Sequence, residues 1–417
     1  MRAAPFFAPH PPYAASGSGC RITDADGRAV FDCANNFFSL IHGHAFAPVV
    51  SALQRVLRDG TAFGLPTVAE TELAEEISSR SPELEQVRFT GSGTEAVMFA
   101  VKAARAVTGR PAIAKFEGAY HGAYDYVEVS LDPAPQNWGD RDPASLTYAR
   151  GTPASVAAEV VVLPYDDPAR CREILRANRE RLAAVLLDPL SSRIAMVPMS
   201  AAMRETVQDC CRRYGILLVL DEVVSYRMGF GGAYRLLGFE PDLVALAKII
   251  GGGLPIGAVA GPARHMAVFD HTGGHAAVSH GGTFSANPLS MRAGLVSLQA
   301  YDGVAVDRLN AMGGRIRDAL CARIPARGIP AQVTGASSFF RLHLKTQPIT
   351  DYRSALPTAR QKAALKSIHL AMLERGILLT PNCSGALSTP MTDGDLADVV
   401  TAMVEAMQDV WRQSPWD

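Results

Sequence analysis

Between residues 87 and 260, short apolar runs alternate with longer segments of helical periodicity, and this alternation limits the possible folds more than any other feature. Short apolar runs bounded by turn residues are typical of strands that are buried on both faces of a parallel sheet. The pattern therefore predicts an α/β fold with a large, mostly parallel sheet covered by helices. The predicted strands are Ile113–Phe116, Val160–Leu163, Val185–Leu187, Ile216–Leu220, Leu243–Leu246 and Ala258–Ala260, and the clearest helices are Thr94–Val107 and Ala201–Tyr214.

The segments on either side of this alternation predict a second, smaller domain. Residues 1–47 indicate a Pro-rich arm followed by a hairpin. After Pro288, long helical segments flank two short strand-like runs. We therefore expect a large domain at 48–288 and a smaller α+β domain at 289–417, with the N-terminal arm and hairpin as part of the smaller one. A stretch rich in Pro, Asp and Gly at 131–159 predicts a long loop.

Charge and composition exclude several classes of protein. The 417 residues carry 40 Lys and Arg against 41 Asp and Glu, so no basic excess indicates binding to nucleic acid or to an anionic membrane. No apolar run reaches the roughly 20 residues of a membrane span, and the N-terminal residues lack the apolar core of a secretory signal. The seven cysteines contain no C-x-x-C pair, so we expect reduced thiols, no metal site and a cytoplasmic location.

The first candidate functional motif is Gly91-Ser-Gly-Thr-Glu-Ala96, which follows the apolar residues Val87–Phe89 and opens a predicted helix. Small residues let backbone N–H groups approach an anion, and the helix dipole favours negative charge at this end. Ser92 and Thr94 add hydroxyl donors, so the motif indicates a phosphate site. A tight turn with an ordinary N-cap is the alternative.

The second candidate is the pair Asp221 and Glu222, which ends a predicted apolar strand. A carboxylate at a buried strand end costs free energy unless it has a partner, and a protonated heterocyclic nitrogen or a metal ion would serve. The alternatives are an N-cap for the next helix or an ion pair with Arg227.

The third candidate is Lys248, one of only six lysines, which ends the predicted strand at 243–247 and precedes three glycines. Burial lowers the pKa of a lysine and makes its neutral amine nucleophilic, as Schiff-base formation requires. Lys115 also ends a predicted strand and is the one rival. A phosphate cradle, an acid and an imine-forming lysine are together the protein groups that pyridoxal phosphate requires.

At these residues the chain resembles the class III, fold-type I pyridoxal-phosphate aminotransferases, in particular the branch of glutamate-1-semialdehyde aminomutases and β-amino-acid aminotransferases. The resemblance extends from the hairpin to the C-terminal helix. The matching motifs include Ser39-Leu-Ile-His-Gly-His44, Thr61-Ala-Phe-Gly-Leu-Pro-Thr67, Lys115-Phe-Glu-Gly-Ala-Tyr-His-Gly122, Leu220-Asp-Glu-Val223, Ala247-Lys-Ile-Ile-Gly-Gly-Gly-Leu-Pro-Ile-Gly257 and His280-Gly-Gly-Thr-Phe-Ser-Ala-Asn-Pro288.

The resemblance implies a role for each matching residue. Lys248 is expected to form the Schiff base with pyridoxal 5′-phosphate and to shuttle a proton, and Asp221 to keep the pyridine nitrogen protonated. The remaining expected contacts are Val223 and Tyr120 on the two ring faces, His121 beside them, Ser92, Gly93 and Thr94 at the phosphate, and Thr283 at the phosphate of a neighbouring subunit. The role of Thr283 implies a homodimer with composite active sites.

Three departures from the family pattern bear on the substrate. Asp188-Pro189 stands where many relatives have Glu-Pro, and Arg193 follows five residues later. Arg193 could clamp a substrate carboxylate or make a surface ion pair. Residues 380–387 lack the acidic residue that semialdehyde aminomutases carry in this region, which lowers the expectation of mutase activity.

We therefore expect an aminotransferase that moves an amino group between an amino compound, by analogy a β- or ω-amino acid, and a keto acid through pyridoxamine phosphate. Phe37, Phe38, Phe63 and Tyr120 indicate an apolar pocket that tolerates aromatic groups, although the phenylalanines could equally be core residues. The alternatives are an aminomutase of the semialdehyde type, a racemase or epimerase, and a homologue that binds cofactor without catalysis.

Overall fold

A computed structural model of the chain describes residues 11–416. Its centre is a seven-stranded sheet with the strand order β4-β10-β9-β8-β7-β5-β6. The strands are β1 (Ala14–Ser18), β2 (Arg21–Asp24), β3 (Ala29–Asp32), β4 (Gln86–Thr90), β5 (Ala112–Phe116), β6 (Val160–Leu163), β7 (Leu182–Leu187), β8 (Leu217–Asp221), β9 (Leu243–Ala247), β10 (Gly257–Gly261), β11 (Gln332–Thr334), β12 (Phe339–His343), β13 (Ile377–Leu378) and β14 (Ser384–Ala386).

Within this sheet β10 runs antiparallel to both of its neighbours, and the remaining pairs are parallel. The predicted large, mostly parallel sheet is therefore confirmed. Because β4, β8 and β9 run in the same direction, their carboxyl ends meet at one edge, where open α/β sheets bind ligands.

Helices cover both faces of the sheet. The helical elements of the described residues are α1 (Asn35–Phe38), α2 (Ala47–Asp59), α3 (Val68–Arg80), α4 (Gly93–Thr108), α5 (Asp125–Glu128), α6 (Ala154–Ala158), α7 (Pro168–Asn178), α8 (Ala201–Tyr214), α9 (Ala233–Leu237), α10 (Ala263–Met266), α11 (Pro288–Ala300), α12 (Gly303–Arg323), α13 (Tyr352–Ala355), α14 (Ala359–Glu374) and α15 (Asp393–Gln413). The apolar side of α4 packs on one face, and α7 and α8 pack on the other. Short 3-10 turns occur at Ser225–Met228, Lys248–Gly251, Ala267–Phe269 and Pro325–Arg327.

Two smaller sheets lie outside the large one, in the orders β1-β2-β3-β13 and β11-β12-β14. Strand β3 pairs in parallel with β13, so that Phe31 faces Ile377. The N-terminal hairpin thus shares a sheet with a C-terminal strand, which agrees with the expected grouping, while the domain boundaries themselves stay predictions.

Two details differ from the expectations at the sequence level. The first strand, β1, lies in a segment of small residues without an apolar pattern, and the long loop at 131–159 contains the short helix α6. Most of the expected Pro-rich arm, residues 1–10, lies outside the described residues.

Candidate active site

A cleft of about 400 Å³ opens at the edge where β4, β8 and β9 end. It is lined by the predicted cofactor residues Ser92, Gly93, Thr94, Tyr120, His121, Asp221, Val223 and Lys248, and also by Asn36, Ser39, Asp188 and Ser192. The fold therefore brings together the three features that the sequence placed at strand ends.

The start of α4 forms the floor of the cleft. Ser92 is the N-cap, and its hydroxyl accepts a hydrogen bond from the Glu95 N–H at 3.2 Å. The N–H groups of Gly93 and Thr94 lie in the first helical turn, where no intrahelical acceptor exists. A Cβ on Gly93 would lie 3.1 Å from both methyl carbons of Val223, so a glycine lets the backbone approach closely. This arrangement suits a phosphate dianion.

Asp221 lies at the end of β8 with its carboxylate buried and oriented by two donors. Its Oδ1 accepts from the Val223 N–H at 3.0 Å, and its Oδ2 accepts from Nδ1 of His121 at 2.8 Å. Burial lowers the pKa of His121, against the opposing effect of Asp221, which favours a neutral imidazole whose Nδ1–H donates to the carboxylate. A hydrogen bond of this kind fixes an ionised carboxylate in one orientation.

The neighbouring carboxylate, Glu222, has a separate, structural role. It is fully buried and accepts hydrogen bonds from the N–H groups of Ala233 at 3.0 Å and Tyr234 at 2.6 Å, at the start of α9. The side chain of Arg227, which the sequence offered as an ion-pair partner, instead donates to the carbonyl groups of Phe38 and Leu387.

Lys248 begins the 3-10 turn that follows β9, and its φ of 52° is left-handed, which is uncommon for a residue with a side chain. Burial lowers the pKa of its amine, while Asp221 and Asp188 oppose this shift. A larger fraction of the amine is therefore neutral and nucleophilic than in an exposed lysine.

The rival lysine, Lys115, does not line the cleft. It is fully buried in β5, and its amine donates to the carbonyl groups of Phe116 at 3.2 Å and Val129 at 2.8 Å. Burial lowers its pKa to about 7, but its amine is held by these two carbonyl groups. The lowered pKa therefore does not distinguish Lys115 from Lys248, because both lysines show it. Their positions distinguish them, because only Lys248 lines the cleft.

Asp188 stands where many relatives have a glutamate, and the sequence alone does not determine its role in the site. It is buried and lines the cleft, and its Oδ1 accepts from the Leu190 N–H at 2.9 Å. Burial, and after it the charge of Asp221, raises the pKa of Asp188 well above the ordinary range. Burial therefore disfavours the ionised form of this side chain in the folded protein.

Arg193 makes the ion pair that the sequence gave as the alternative to a substrate clamp. Its guanidinium donates to Asp132 Oδ1 at 2.5 Å and to the carbonyl groups of Leu131 at 3.1 Å and Gly118 at 3.2 Å. The residue holds the backbone on either side of Tyr120 in place and does not line the cleft.

The aromatic residues separate into three environments. Phe37 is 46% exposed and lines an apolar pocket of about 690 Å³ that adjoins the cleft at Asn36 and Leu254. Phe38 is a core residue that packs edge-on against Phe339 with ring centroids 5.4 Å apart. Phe63 is 55% exposed and lines neither cavity.

Two predicted cofactor contacts have different surroundings. Tyr120 lines the cleft and is 49% exposed. Thr283 is exposed on the surface and does not line the cleft of its own chain. Its role at a neighbouring subunit stays a prediction.

The family model for class III aminotransferases matches residues 9–390, so the chain belongs to this family. Curated relatives include glutamate-1-semialdehyde 2,1-aminomutases from Methanothermobacter thermautotrophicus, 36% identical over 90% of this chain and 87% of that protein, and from Thermomicrobium roseum, 36% identical over 96% and 92%. Among solved structures, an omega-transaminase from Sphaerobacter thermophilus is 45% identical with a TM-score of 0.95, covering 98% of this chain and 94% of that one. A β-phenylalanine aminotransferase from Variovorax paradoxus is 29% identical with a TM-score of 0.88, covering 100% and 91%.

The donor set of the cleft fits pyridoxal 5′-phosphate, the cofactor of this family. The helix start at Gly93 offers N–H donors for a phosphate, Asp221 offers an oriented carboxylate for a pyridinium N–H, and Lys248 offers an amine for an aldehyde. When bound, the cofactor supplies an electron sink for a carbanion at the amine-bearing carbon of the substrate. The protein is a pyridoxal-phosphate-dependent transaminase. Across the described residues, no helix is long and apolar enough to cross a membrane.

Proposed function

We propose that the protein transfers an amino group between an amine whose nitrogen is not α to a carboxylate, such as a β- or ω-amino acid, and a keto acid. The observation that carries this proposal is the convergence of the Lys248 amine, the Asp221 carboxylate and the start of α4 on one cleft, beside an apolar pocket. The omega-transaminase and the β-phenylalanine aminotransferase among the similar structures support the substrate class.

Each cleft residue has a distinct task in this proposal. With the cofactor bound, the amine of Lys248 would take the proton from the amine-bearing carbon of the substrate and return it at C4′ of the cofactor. Its lowered pKa favours the neutral form that can accept a proton. Asp221, held by His121, keeps a proton on the ring nitrogen. Val223 and Tyr120 hold the ring between them, and Ser92 and Thr94 bind the phosphate with the N–H groups of the helix.

We also propose a homodimer with composite active sites and a cytoplasmic location for it. Thr283 and its neighbour Phe284 are exposed, and Phe63 and Leu65 expose large apolar side chains. Burying such side chains between two copies stabilises an interface. Thr283 of one copy would then complete the phosphate site of the other.

An aminomutase of the semialdehyde type is the second candidate, because the curated relatives carry that name. Residues 380–387 weigh against it: they contain no acidic side chain, and Cys383 and Ala386 in this stretch are fully buried. An aminomutase needs no separate amino acceptor, so acceptor dependence distinguishes the two activities.

The test is a half-reaction screen. Purified protein loaded with pyridoxal phosphate is mixed with a single amino compound and no keto acid, and the visible absorbance of the cofactor is followed. We expect β- or ω-amino acids to bleach the band and a keto acid to restore it. Bleaching by α-amino acids alone would contradict the substrate class. Conversion of glutamate-1-semialdehyde without an acceptor would establish the mutase, and loss of stereochemistry without an acceptor would indicate a racemase.

A matched pair of variants controls the screen. Lys248→Ala removes the cleft amine, whereas Lys102→Ala removes an exposed lysine from the outer side of α4. We expect only the first to abolish bleaching. Persistent colour with every compound in the wild-type protein would indicate a homologue that binds cofactor without catalysis.

A further inference from the structure

The segment between β3 and the cleft, α1, is a left-handed turn of four residues without a glycine. The φ angles of Asn35, Asn36, Phe37 and Phe38 are 46°, 49°, 54° and 71°. Left-handed backbone is unfavourable for residues with a Cβ, and runs of it are rare because the cost accumulates residue by residue. Such a turn persists only where the surrounding structure holds it, and strain of this kind clusters at functional sites.

The first anchor of the turn is the side chain of Asn35, which is fully buried. Its Nδ2–H donates to the carbonyl oxygen of Ala386 at 2.6 Å, and its backbone N–H donates to Oδ1 of Asp32 at 2.8 Å. The turn is thereby attached to the end of β14, far away in the sequence.

The second anchor is Arg227, whose side chain is also fully buried. Its Nη1 donates to the carbonyl oxygen of Phe38 at 3.2 Å, and its Nη2 donates to that of Leu387. The guanidinium lies 5.2 Å from the ring centroid of Phe339, which also packs against Phe38. One arginine therefore joins the turn to the chain just beyond β14.

The left-handed conformation determines which side chains face the cavities. Asn35 and Phe38 point into the protein, whereas Asn36 lines both the cofactor cleft and the adjoining apolar pocket. Phe37 lines the apolar pocket together with Leu40, Val50 and Leu254.

We propose that Asn35 and Arg227 are positioning residues, which hold this turn so that Phe37 forms a wall for the apolar arm of the substrate amine. Held in this way, the turn makes the site prefer amines with an arm of aromatic size. The inference rests on the proposed transamination, because it assigns a substrate feature to the same site. Neither residue lines the cleft, so neither touches the reacting atoms.

The test compares Asn35→Gly with Asn178→Ala. Glycine accepts positive φ, so the first variant removes the anchoring amide without adding backbone strain. Asn178 is the control, because its Nδ2–H also donates to a backbone carbonyl group, that of Ile174 at 2.9 Å, but within α7. Two readouts are used on the cofactor-loaded protein: hydrogen–deuterium exchange of the peptide that spans the turn, and half-reaction kinetics with 1-phenylethylamine and with isopropylamine.

Exchange reports on the turn directly, because the N–H groups of Phe38 and Ser39 are bonded within it at 2.9 Å. We expect faster exchange there in Asn35→Gly and no change in Asn178→Ala. We also expect the concentration of 1-phenylethylamine that gives half-maximal rate to rise about tenfold, as loss of one well-packed apolar contact produces, with a limiting rate that changes little. The kinetics with isopropylamine should stay as in the wild type.

Unchanged exchange in the turn, or equal effects on both amines, would overturn the positioning role. Arg227→Lys keeps the charge and one donor, and it should alter exchange of the turn and amine preference in the same direction as Asn35→Gly does. If Asn35→Gly folds poorly, Arg227→Lys is the variant that tests the positioning role. If the wild-type protein reacts with neither amine, the proposed preference for an aromatic arm fails, whereas the proposed function fails only if no β- or ω-amino acid bleaches the cofactor. The exchange experiment supports or overturns the role of the anchors in either case.

Discussion

Gly294 lies in the middle of α11, where helix propensity and packing predict opposite effects of an alanine. In an exposed helix, alanine is more favourable than glycine by about 1 kcal/mol. At this position, however, an added Cβ would overlap the carbonyl oxygen of Ile250 and lie 3.2 Å from Leu73 Cδ2. Ile250 belongs to the 3-10 turn that begins with Lys248. The glycine thus permits a close contact between α11 and the turn that carries the reactive lysine.

The magnitude follows from the overlap. Relieving it requires a displacement on the order of 1 Å between α11 and the turn, and such overpacking costs about 1–3 kcal/mol in a well-packed core. After the gain of about 1 kcal/mol in propensity, we expect Gly294→Ala to lose up to about 2 kcal/mol. At roughly 2.1 cal/mol/K of unfolding entropy per residue, this lowers the unfolding midpoint of the 417-residue chain by about 2 °C.

The assay is thermal unfolding of the cofactor-loaded protein followed by circular dichroism, together with the visible absorbance that remains after dialysis. Gly314→Ala is the control, because Gly314 is also within a helix, α12, and an added Cβ there meets nothing within 4 Å. We expect the control to gain stability and keep its colour, and Gly294→Ala to lose both. A midpoint for Gly294→Ala at or above that of the wild type would refute the packing argument.

Three further predictions concern the cleft. Lys248→Ala should leave the cofactor bound without a covalent link, so that the protein loses its colour during dialysis. Asp221→Asn keeps the volume but not the charge, and should slow the half-reaction by about 10²–10³-fold in stopped-flow absorbance. Asp188→Asn should have the same unfolding midpoint as the wild type below pH about 3.9, the ordinary pKa of an aspartate, and a higher midpoint as pH rises. The reason is that the raised pKa of Asp188 makes its ionisation costly only in the folded protein. A constant difference between the two midpoints across pH would contradict this.

Secondary structure was predictable where apolar periodicity alone determines it. The helix Ala201–Tyr214 has the predicted ends, because Ser200 caps it and Gly215 terminates it in a left-handed conformation. The strand ends that carry Asp221 and Lys248 were predictable for a similar reason, because in each case a charged residue follows an apolar run. The family resemblance added Tyr120 and His121, which as a loop pair carry no local signal.

Features that depend on distant contacts were not predictable from local sequence. Whether Arg193 reaches a substrate depends on the carbonyl groups of Gly118 and Leu131, far from it in the chain, and those contacts withdraw its guanidinium from the cleft. The left-handed turn at Asn35–Phe38 contradicts local preference at Phe37 and Phe38, because asparagine visits left-handed backbone occasionally but bulky side chains rarely do. The turn forms because buried hydrogen bonds to Ala386 and from Arg227 hold it, and both residues are far from it in the sequence.

The pairing of β3 with β13 has a consequence for biosynthesis. Strands β4 to β10 and their helices come from residues 86–261, so the large sheet can assemble while the rest of the chain is still being made. Strand β3 is synthesised earlier but pairs with residues 377–378, and Asn35 has its acceptor at Ala386. Long-range pairings of this kind form slowly and late. Strand β3 and Asn35 therefore reach these partners only after nearly the whole chain has left the ribosome, and the substrate side of the cleft is complete only then.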